Sequence, residues 1–325
     1  MTSKIYVIIT ILLSYMGSLN AQKNDTLIQR FKVADDIEYS YKKPKFLDIF
    51  RYIPNDLAEF GKFTIQKENL LWTSLAIGST AAIIPFDQKL IDNASELGEG
   101  IGWDKDHSYS KVANVLRIIP NDINSAVYYI GNGGTTMLLS GTFYAIGKIS
   151  NDYRALNTSN ELIEVLLSVG VITQTIKRIT GRQSPSAAIR DGNPGGHWTP
   201  FPSFNAYQSK TPDYDAMPSG HVATFMATLT VIATNYPEIK WIKPVGYSLL
   251  GVLAFEMASS KVHWVSDYPL ALLIGYVIGK NAANRRIAKI KKRHANGEII
   301  KPKFKTDFSF NLTPEFKTAG VTITF

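Results

Sequence analysis

Six apolar stretches with helical character constrain this chain more than any other feature of its sequence. Each is near or below the roughly 20 apolar residues that a membrane-spanning helix requires. They suit either short, tilted membrane helices or the buried helices of a large bundle, and length alone does not decide between these alternatives. The stretches cover about residues 70–85, 126–146, 161–176, 222–233, 245–259 and 268–278.

The composition excludes several classes of protein. The chain has 325 residues, of which 45% are hydrophobic and 19% charged. This apolar content is enough for a large core, so disorder and fibrous repeats are excluded. The charged fraction lies below the roughly 25% of an average soluble domain, which indicates extensive burial or membrane contact. The mean hydropathy is close to zero, which argues against a chain that lies mostly within a membrane.

The charge and the missing cysteines narrow the chemistry. The formal net charge is +8, which favours polyanionic partners such as anionic lipids, phosphorylated substrates or nucleic acid. The sequence contains no cysteine, which excludes disulfides, cysteine zinc sites, iron–sulfur clusters and a thiol nucleophile.

The N-terminus has the pattern of a targeting segment. Lys4 provides a positive charge, residues 5–16 are apolar, and Leu19-Asn20-Ala21 forms a cleavage site. We therefore expect a signal peptide over residues 1–21, with an uncleaved anchor helix as the alternative. Export without cysteines predicts a bacterial cell envelope protein, periplasmic or membrane-associated. Export also argues against nucleic acid as the partner of the basic charge.

The remaining chain divides into three predicted parts. Residues 22–69 are first polar and then amphipathic, and residues 70–280 contain the six apolar stretches. Residues 281–325 comprise a basic segment and a tail.

Smaller features define expectations for each part. Residues 22–45 are predicted to be irregular, and Asp87–Asp122 to form an acidic loop. Lys280–Arg293 is predicted to form a basic helix that is either solvated or in contact with an anionic membrane surface. Phe308–Phe325 alternates apolar and polar residues, which predicts one or two strands.

Three clusters of chemically active residues lie at the ends of the apolar stretches. The first is Lys177 to Pro185, after the third stretch, and the second is Pro218-Ser219-Gly220-His221, before the fourth. The third is His263 to Asp267, between the fifth and sixth. If successive helices are antiparallel neighbours, all three clusters meet at one end of a helix bundle.

Such a meeting point suits phosphate chemistry. Ser219 and Gly220 occupy helix N-cap positions, where backbone amides and the helix dipole attract anions. Lys177 and Arg182 would add positive charge and donors for phosphate oxygens.

The histidines would then carry the reaction. His263 and Asp267 are four residues apart, a spacing that places both on one helical face. An aspartate bonded to one imidazole nitrogen leaves the other nitrogen free as a nucleophile. His221 would protonate the leaving oxygen as general acid. The pattern predicts phosphoryl transfer through a phosphohistidine, with no metal and no cofactor.

The combined pattern resembles the superfamily of type 2 phosphatidic-acid phosphatases and vanadium haloperoxidases. The resemblance covers roughly residues 70–278. It implies an all-α fold with a six-helix bundle core and hydrolysis of phosphate monoesters or pyrophosphates, often on lipids. It also implies His263 as nucleophile oriented by Asp267, with His221 as general acid. The residues that would bind the phosphate, by the same resemblance, are Lys177, Arg182, Ser219 and Gly220.

Two positions depart from the family pattern. Ser184 and Met257 stand where the family carries arginines that bind phosphate. Arg178, Arg182 and Lys261 are nearby cations that would compensate. The leading expectation is an envelope phosphatase whose substrate is a phosphorylated lipid. The alternatives are an acid phosphatase for soluble esters, a vanadium haloperoxidase, and a catalytically degenerate phospholipid-binding envelope protein.

Overall fold

The computed structural model describes residues 28–103, 106–112, 116–291, 305–312 and 317–324. The predicted signal peptide lies outside these residues. The first half of the chain forms these elements: β1 Ile28–Lys32, β2 Ile37–Lys42, α1 Asp48–Arg51, α2 Ile53–Ile65, α3 Leu70–Ile83, α4 Asp87–Gly100, β3 Tyr109–Val112, β4 Leu116–Pro120, α5 Ile123–Gly131 and α6 Gly133–Ile149.

The second half contains the longest helices. Its elements are α7 Tyr153–Thr180, α8 Pro185–Asp191, α9 Phe204–Ser209, α10 Gly220–Asn235, α11 Ile242–Ser259, α12 Tyr268–Arg286, β5 Ala288–Lys291, β6 Lys305–Leu312 and β7 Lys317–Thr324. The predicted all-α class is confirmed, and the predicted C-terminal strands form the antiparallel hairpin of β6 and β7.

The main core follows the predicted apolar stretches. Buried side chains from α5, α6, α7, α10, α11 and α12 form one hydrophobic cluster. The stretch at residues 126–146 is divided between α5 and α6 at Asn132, whose side chain accepts a hydrogen bond from the Gly134 amide. Helix α3 packs against α12 and buries only Thr73, Ala76 and Thr80.

Helices α10 and α12 pack closely and run parallel. A Cβ at Gly275 would lie 2.3 Å from the Ala223 carbonyl oxygen, and one at Gly279 would lie 2.7 Å from that of Ala227. Only glycine permits this approach of the two backbones. Because the contacts advance in the same direction along both helices, their N-terminal ends lie at the same end of the bundle.

Three predictions outside the bundle are wrong. Residues 22–45 were expected to be irregular, but β1 pairs with β2, and β2 pairs with β5. The segment Lys280–Arg293 was expected to be one basic helix, but α12 ends at Arg286 and the chain continues as β5. The segment Asp87–Asp122 contains α4 and the β3–β4 hairpin instead of a loop. The pairing of β2 with β5 joins residues too far apart for a local pattern to reveal.

Part of the helical surface is apolar. One helical stretch of the described residues, Lys67–Gly100, is long and apolar enough to cross a membrane by length and composition alone. Trp72 at 60% and Ile77 at 57% exposure lie on α3 within it. These two side chains are therefore apolar surface outside the core of the bundle.

A network of buried charges joins α2, α7 and α12 away from the three motif clusters. Arg285 donates to Glu164 at 2.7 Å and to Asp56 at 2.6 Å, and Arg286 also donates to Glu164. Glu161 accepts from the Asn235 side chain and is fully buried. Arg285 and Arg286 therefore contact carboxylates inside the protein, which removes two charges from the predicted basic membrane contact.

Burial of Glu161 makes stability depend on pH. Burial raises the pKa of Glu161 from 4.5 to about 8, although Arg286 and the Asn235 hydrogen bond oppose this shift. The folded state therefore retains a proton that the unfolded state releases, and stability falls as the pH rises through this range. We expect Glu161→Gln to raise the midpoint of thermal unfolding by ~3–8 °C at pH 9 and to change little at pH 5. The exposed Glu68→Gln is the matched control. Equal midpoints for wild type and Glu161→Gln at pH 9 would contradict this account.

Candidate active site

The three motif clusters meet in one pocket, as the antiparallel arrangement of α7 and α10 predicts. The pocket has a volume of about 500 Å³, and Lys177, Gly220, His221 and His263 line it. The C-terminal end of α7 provides Lys177, the first turn of α10 provides Gly220 and His221, and the connection before α12 provides His263.

His263 is held in a single tautomer by the backbone. Its side chain is buried, and Nδ1 lies 2.8 Å from the carbonyl oxygen of Ala216. Because a carbonyl only accepts hydrogen bonds, Nδ1 carries the proton and Nε2 keeps a free lone pair. Nε2 is therefore the nitrogen available as a nucleophile.

Asp267 does not form the predicted hydrogen bond to this imidazole. Its Oδ2 lies 3.6 Å from His263 Nδ1 and instead accepts from the Trp264 amide at 2.9 Å. The Ala216 carbonyl has the orienting role that the sequence assigns to Asp267. The carboxylate charge remains close enough to stabilise a positive imidazole ring.

Arg182 lies behind the pocket and does not line it. Its guanidinium is fully buried and donates to Asp267 Oδ1 at 2.8 Å and to Asp87 Oδ2 at 2.6 Å. Ser266 also hydrogen bonds to both Arg182 and Asp87. The prediction that Arg182 binds phosphate is therefore not supported by its placement: the side chain pairs two buried carboxylates.

Asp87 is a residue of this region that the sequence analysis missed. It begins α4 and is fully buried, and it binds both Arg182 and the Ser266 amide. The sequence predicts that Asp87 lies in an acidic loop. No local motif connects Asp87 with the three clusters that form the pocket.

Ser219 also has a structural position. Its hydroxyl accepts from the Val222 amide at 3.3 Å, and its own amide donates to the Asp267 carbonyl at 3.2 Å. Ser219 is fully buried and caps α10, which fixes the start of this helix against the segment that carries His263. Of the two predicted phosphate-binding residues at this helix start, Gly220 lines the pocket and Ser219 does not.

Lys177 and Gly220 form one positively polarised wall. A Cβ placed on Gly220 would lie 4.0 Å from Lys177 Nζ, so the ammonium lies close to the first turn of α10. First-turn amides of a helix lack intrahelical partners and carry partial positive charge. Asp215 also lines the pocket, and its carboxylate lies 3.5 Å from Lys177 Nζ. The wall therefore attracts an anion, with one carboxylate reducing its net charge.

His221 lies between two aromatic neighbours. Its ring centroid is 4.7 Å from that of Tyr128 and 5.8 Å from that of His263. The pKa of His221 is lowered to about 3, mainly because burial disfavours the charged ring, with smaller contributions from the neighbouring His263, Lys177 and His107. A pKa this low leaves His221 neutral near pH 7. A phosphate anion beside it raises the pKa, because the negative charge stabilises the protonated ring.

The two positions that lack the family's arginines have different environments. Met257 is fully buried, and its carbonyl accepts from the amides of Val262 and His263. Ser184 lines the pocket, caps α8 and lies 3.2 Å from the Ser186 hydroxyl. Neither position supplies a cation.

Of the three predicted compensating cations, only Lys261 lines the pocket. Its backbone has a φ of 58°, and its carbonyl accepts from the Ser186 amide at 3.0 Å. A positive φ is uncommon for a residue with a side chain and recurs at functional sites. Arg178 instead stacks on Tyr207, with its guanidinium carbon 3.8 Å from the ring centroid.

The described residues contain no group of three or more histidine, aspartate or glutamate side chains arranged to hold a metal ion. The pocket is lined by two lysines, two imidazoles and the first turn of α10, together with the Asp215 carboxylate. This donor set suits an anion with several oxygen atoms.

Comparison with known proteins agrees with this geometry. Residues 160–287 match the family model of the PAP2 superfamily. The match covers most of α7 and all of α10, α11 and α12, with the three motif clusters. The predicted resemblance to the type 2 phosphatidic-acid phosphatase superfamily is thereby confirmed, and the match indicates phosphatase activity on phosphoesters. Searches of curated proteins and of solved structures find no match.

Proposed function

We propose that this protein is a metal-independent phosphatase that hydrolyses a phosphate monoester or pyrophosphate on a lipid through a phosphohistidine. The observation that carries the proposal is the geometry of His263. Its Nδ1 proton is bound by the Ala216 carbonyl, and it shares a pocket with Lys177, Lys261 and His221.

The proposed reaction has two displacements at phosphorus. In the first, the lone pair of His263 Nε2 attacks phosphorus, the ester P–O bond breaks, and the leaving oxygen takes a proton from His221. In the second, neutral His221 takes a proton from water, the water oxygen attacks phosphorus, and the P–N bond breaks. Inorganic phosphate leaves and both histidines return to their starting forms.

Substrate charge prepares the general acid in this reaction. Without an anion beside it His221 is neutral near pH 7, because burial above all lowers its pKa to about 3. The negative charge of a bound phosphate raises the pKa of His221 again. The proton that His221 then holds comes either from the monoanionic ester or from solvent. The general acid therefore becomes protonated where a phosphate is present.

A lipid substrate is supported by the surface of the helices. Exposed Trp72 and Ile77 on α3 give the protein apolar area suited to the acyl region of a bilayer. Lys289 and Lys291 on β5 are exposed cations for an anionic membrane surface. We therefore propose a membrane-associated protein of the cell envelope whose pocket receives the phosphate of a lipid.

A panel of phosphoesters tests the proposed function. Detergent-purified protein in a metal chelator would be given a phosphatidate, a polyprenyl diphosphate and a water-soluble aryl phosphate, and phosphate release would be measured. We expect faster turnover on a lipid than on the aryl phosphate, with inhibition by vanadate. Preference for the aryl phosphate would favour an acid phosphatase for soluble esters. Phosphate binding without turnover would favour the degenerate lipid-binding protein, for which the loss of arginine at Ser184 and Met257 is the specific reason.

Lys261 provides a prediction within this reaction. Lys261→Met keeps the aliphatic stem and removes the charge, so we expect kcat/KM to fall ~10- to 100-fold, the equivalent of one charged hydrogen bond. Lys261→Arg should recover most of the activity. The exposed Lys210→Met is the control for loss of a lysine outside the pocket. Equal kcat/KM values for Lys261→Met and wild type would exclude Lys261 from phosphate binding.

A further inference from the structure

A hydrogen-bonded pair that the proposed reaction does not use, His107 with the buried Glu256, borders the pocket. His107 Nε2 lies 2.6 Å from Glu256 Oε1, and Ser260 donates to the same carboxylate at 2.6 Å. Glu256 is fully buried on α11, and its Oε2 has no hydrogen-bond partner among the described residues. The Glu256 carboxylate therefore depends on His107 and Ser260 for its partners, which restrains His107.

Aromatic contacts connect this pair to the general acid. The His107 ring lies over Tyr128 with a centroid distance of 4.0 Å and an interplanar angle of 35°. Tyr128 in turn contacts His221 at 4.7 Å, and both line the pocket. Glu256, His107, Tyr128 and His221 form a continuous series of contacts, which we call the His107 series.

We propose that His107, anchored by Glu256 and stacked on Tyr128, is a positioning residue that fixes the ring of His221 for protonation of the leaving oxygen. This inference rests on the proposed function, since it assigns a role in the same reaction. Among the described residues His221 has no hydrogen-bond partner, and its ring contacts those of Tyr128 and His263. Holding Tyr128 in place therefore limits the rotation of His221.

The electrostatic effect of His107 supports the same role. Tyr128, His263, Lys177 and His107 face His221 from the elements packed around it, and Asp215 and Lys261 line the same pocket. Burial is the largest cause of the low pKa of His221, and His107 is among the neighbours that add to it. Removing the His107 ring admits water beside Tyr128 and His221, and the smaller desolvation of His221 would raise this pKa.

Kinetics separate the positioning role from a structural one. His107→Gln keeps a donor for Glu256 and removes the stacked ring. We expect kcat to fall ~10-fold with little change in KM, because a misaligned general acid loses part of its contribution. Glu256→Gln should also lower kcat, and the double variant should be no slower than His107→Gln alone, since Glu256 acts through His107. Unchanged kcat in a folded His107→Gln protein, or additive losses in the double variant, would overturn the proposal.

A second measurement does not depend on turnover. The protein contains five histidines, so NMR titration of carbon-13-labelled histidine with single His→Gln variants would assign His221. We expect a higher pKa for His221 in His107→Gln than in wild type, without substrate. An unchanged His221 titration would overturn the proposal whatever the activity. A shifted titration in a protein that hydrolyses no phosphoester would contradict the proposed function and leave the coupling of His107 to His221 through Tyr128 standing.

Discussion

Replacing His263 with alanine is expected to lower phosphate release by ~10⁴-fold or more, because the reaction loses its nucleophile. The free Nε2 of His263 follows from the hydrogen bond between Nδ1 and the Ala216 carbonyl. The other imidazole that lines the pocket, His221, has no hydrogen-bond partner among the described residues that would fix its tautomer. Initial rates on the preferred substrate of the panel would measure the loss.

A second histidine provides the control for this variant. His197 is exposed and does not line the pocket, so His197→Ala should turn over at the wild-type rate. Circular dichroism and the unfolding midpoint of His263→Ala should remain near those of wild type. A folded His263→Ala protein that retains more than a tenth of the activity would exclude His263 as the nucleophile.

Arg182→Met is expected to destabilise the fold by ~3–5 kcal/mol, because it leaves two buried carboxylates without their cation. Arg182 donates to Asp87 and Asp267, and all three side chains are fully buried. Urea unfolding of the detergent-solubilised protein, followed by circular dichroism, would measure the change. This result would assign Arg182 to the framework behind the pocket.

Lys177→Met is the contrasting variant. Lys177 lines the pocket, and its partner Asp215 is partly exposed, so the unpaired carboxylate stays hydrated. We expect stability close to wild type and a higher KM. If Arg182→Met instead keeps its stability and raises KM, Arg182 binds phosphate and the placement described above is wrong.

The helix bundle and the meeting of the three motifs were predictable from the sequence. Apolar stretches of helical length and polar motifs at their ends are local patterns, and antiparallel packing of successive helices brings those ends together. The pocket residues Lys177, Gly220, His221 and His263 follow from this reasoning alone. The family pattern also revealed the unusual residues at positions 184 and 257.

The partners behind the pocket were not predictable. Asp87 binds Arg182 across 95 residues of sequence, and His107 binds Glu256 across 149. Neither contact can be detected in the sequence around its residues. In a sequence, a polar residue that becomes buried cannot be distinguished from a polar residue that stays on the surface. The acceptor for His263 is the carbonyl of Ala216, and a backbone group has no side-chain identity for a pattern to detect. The same reason explains why Asp267 was assigned an orienting bond that the structure gives to the backbone.

Trapping of the phosphorylated enzyme tests the central claim most directly. The protein would be mixed with a phosphorus-32-labelled substrate, quenched in alkali and digested, and the labelled peptide would be sequenced. We predict label on His263 that is stable in alkali and lost in acid, as expected of a phosphoramidate, and no label in His263→Ala. Turnover with no label on His263, or with label in an acid-stable ester, would contradict the phosphohistidine mechanism.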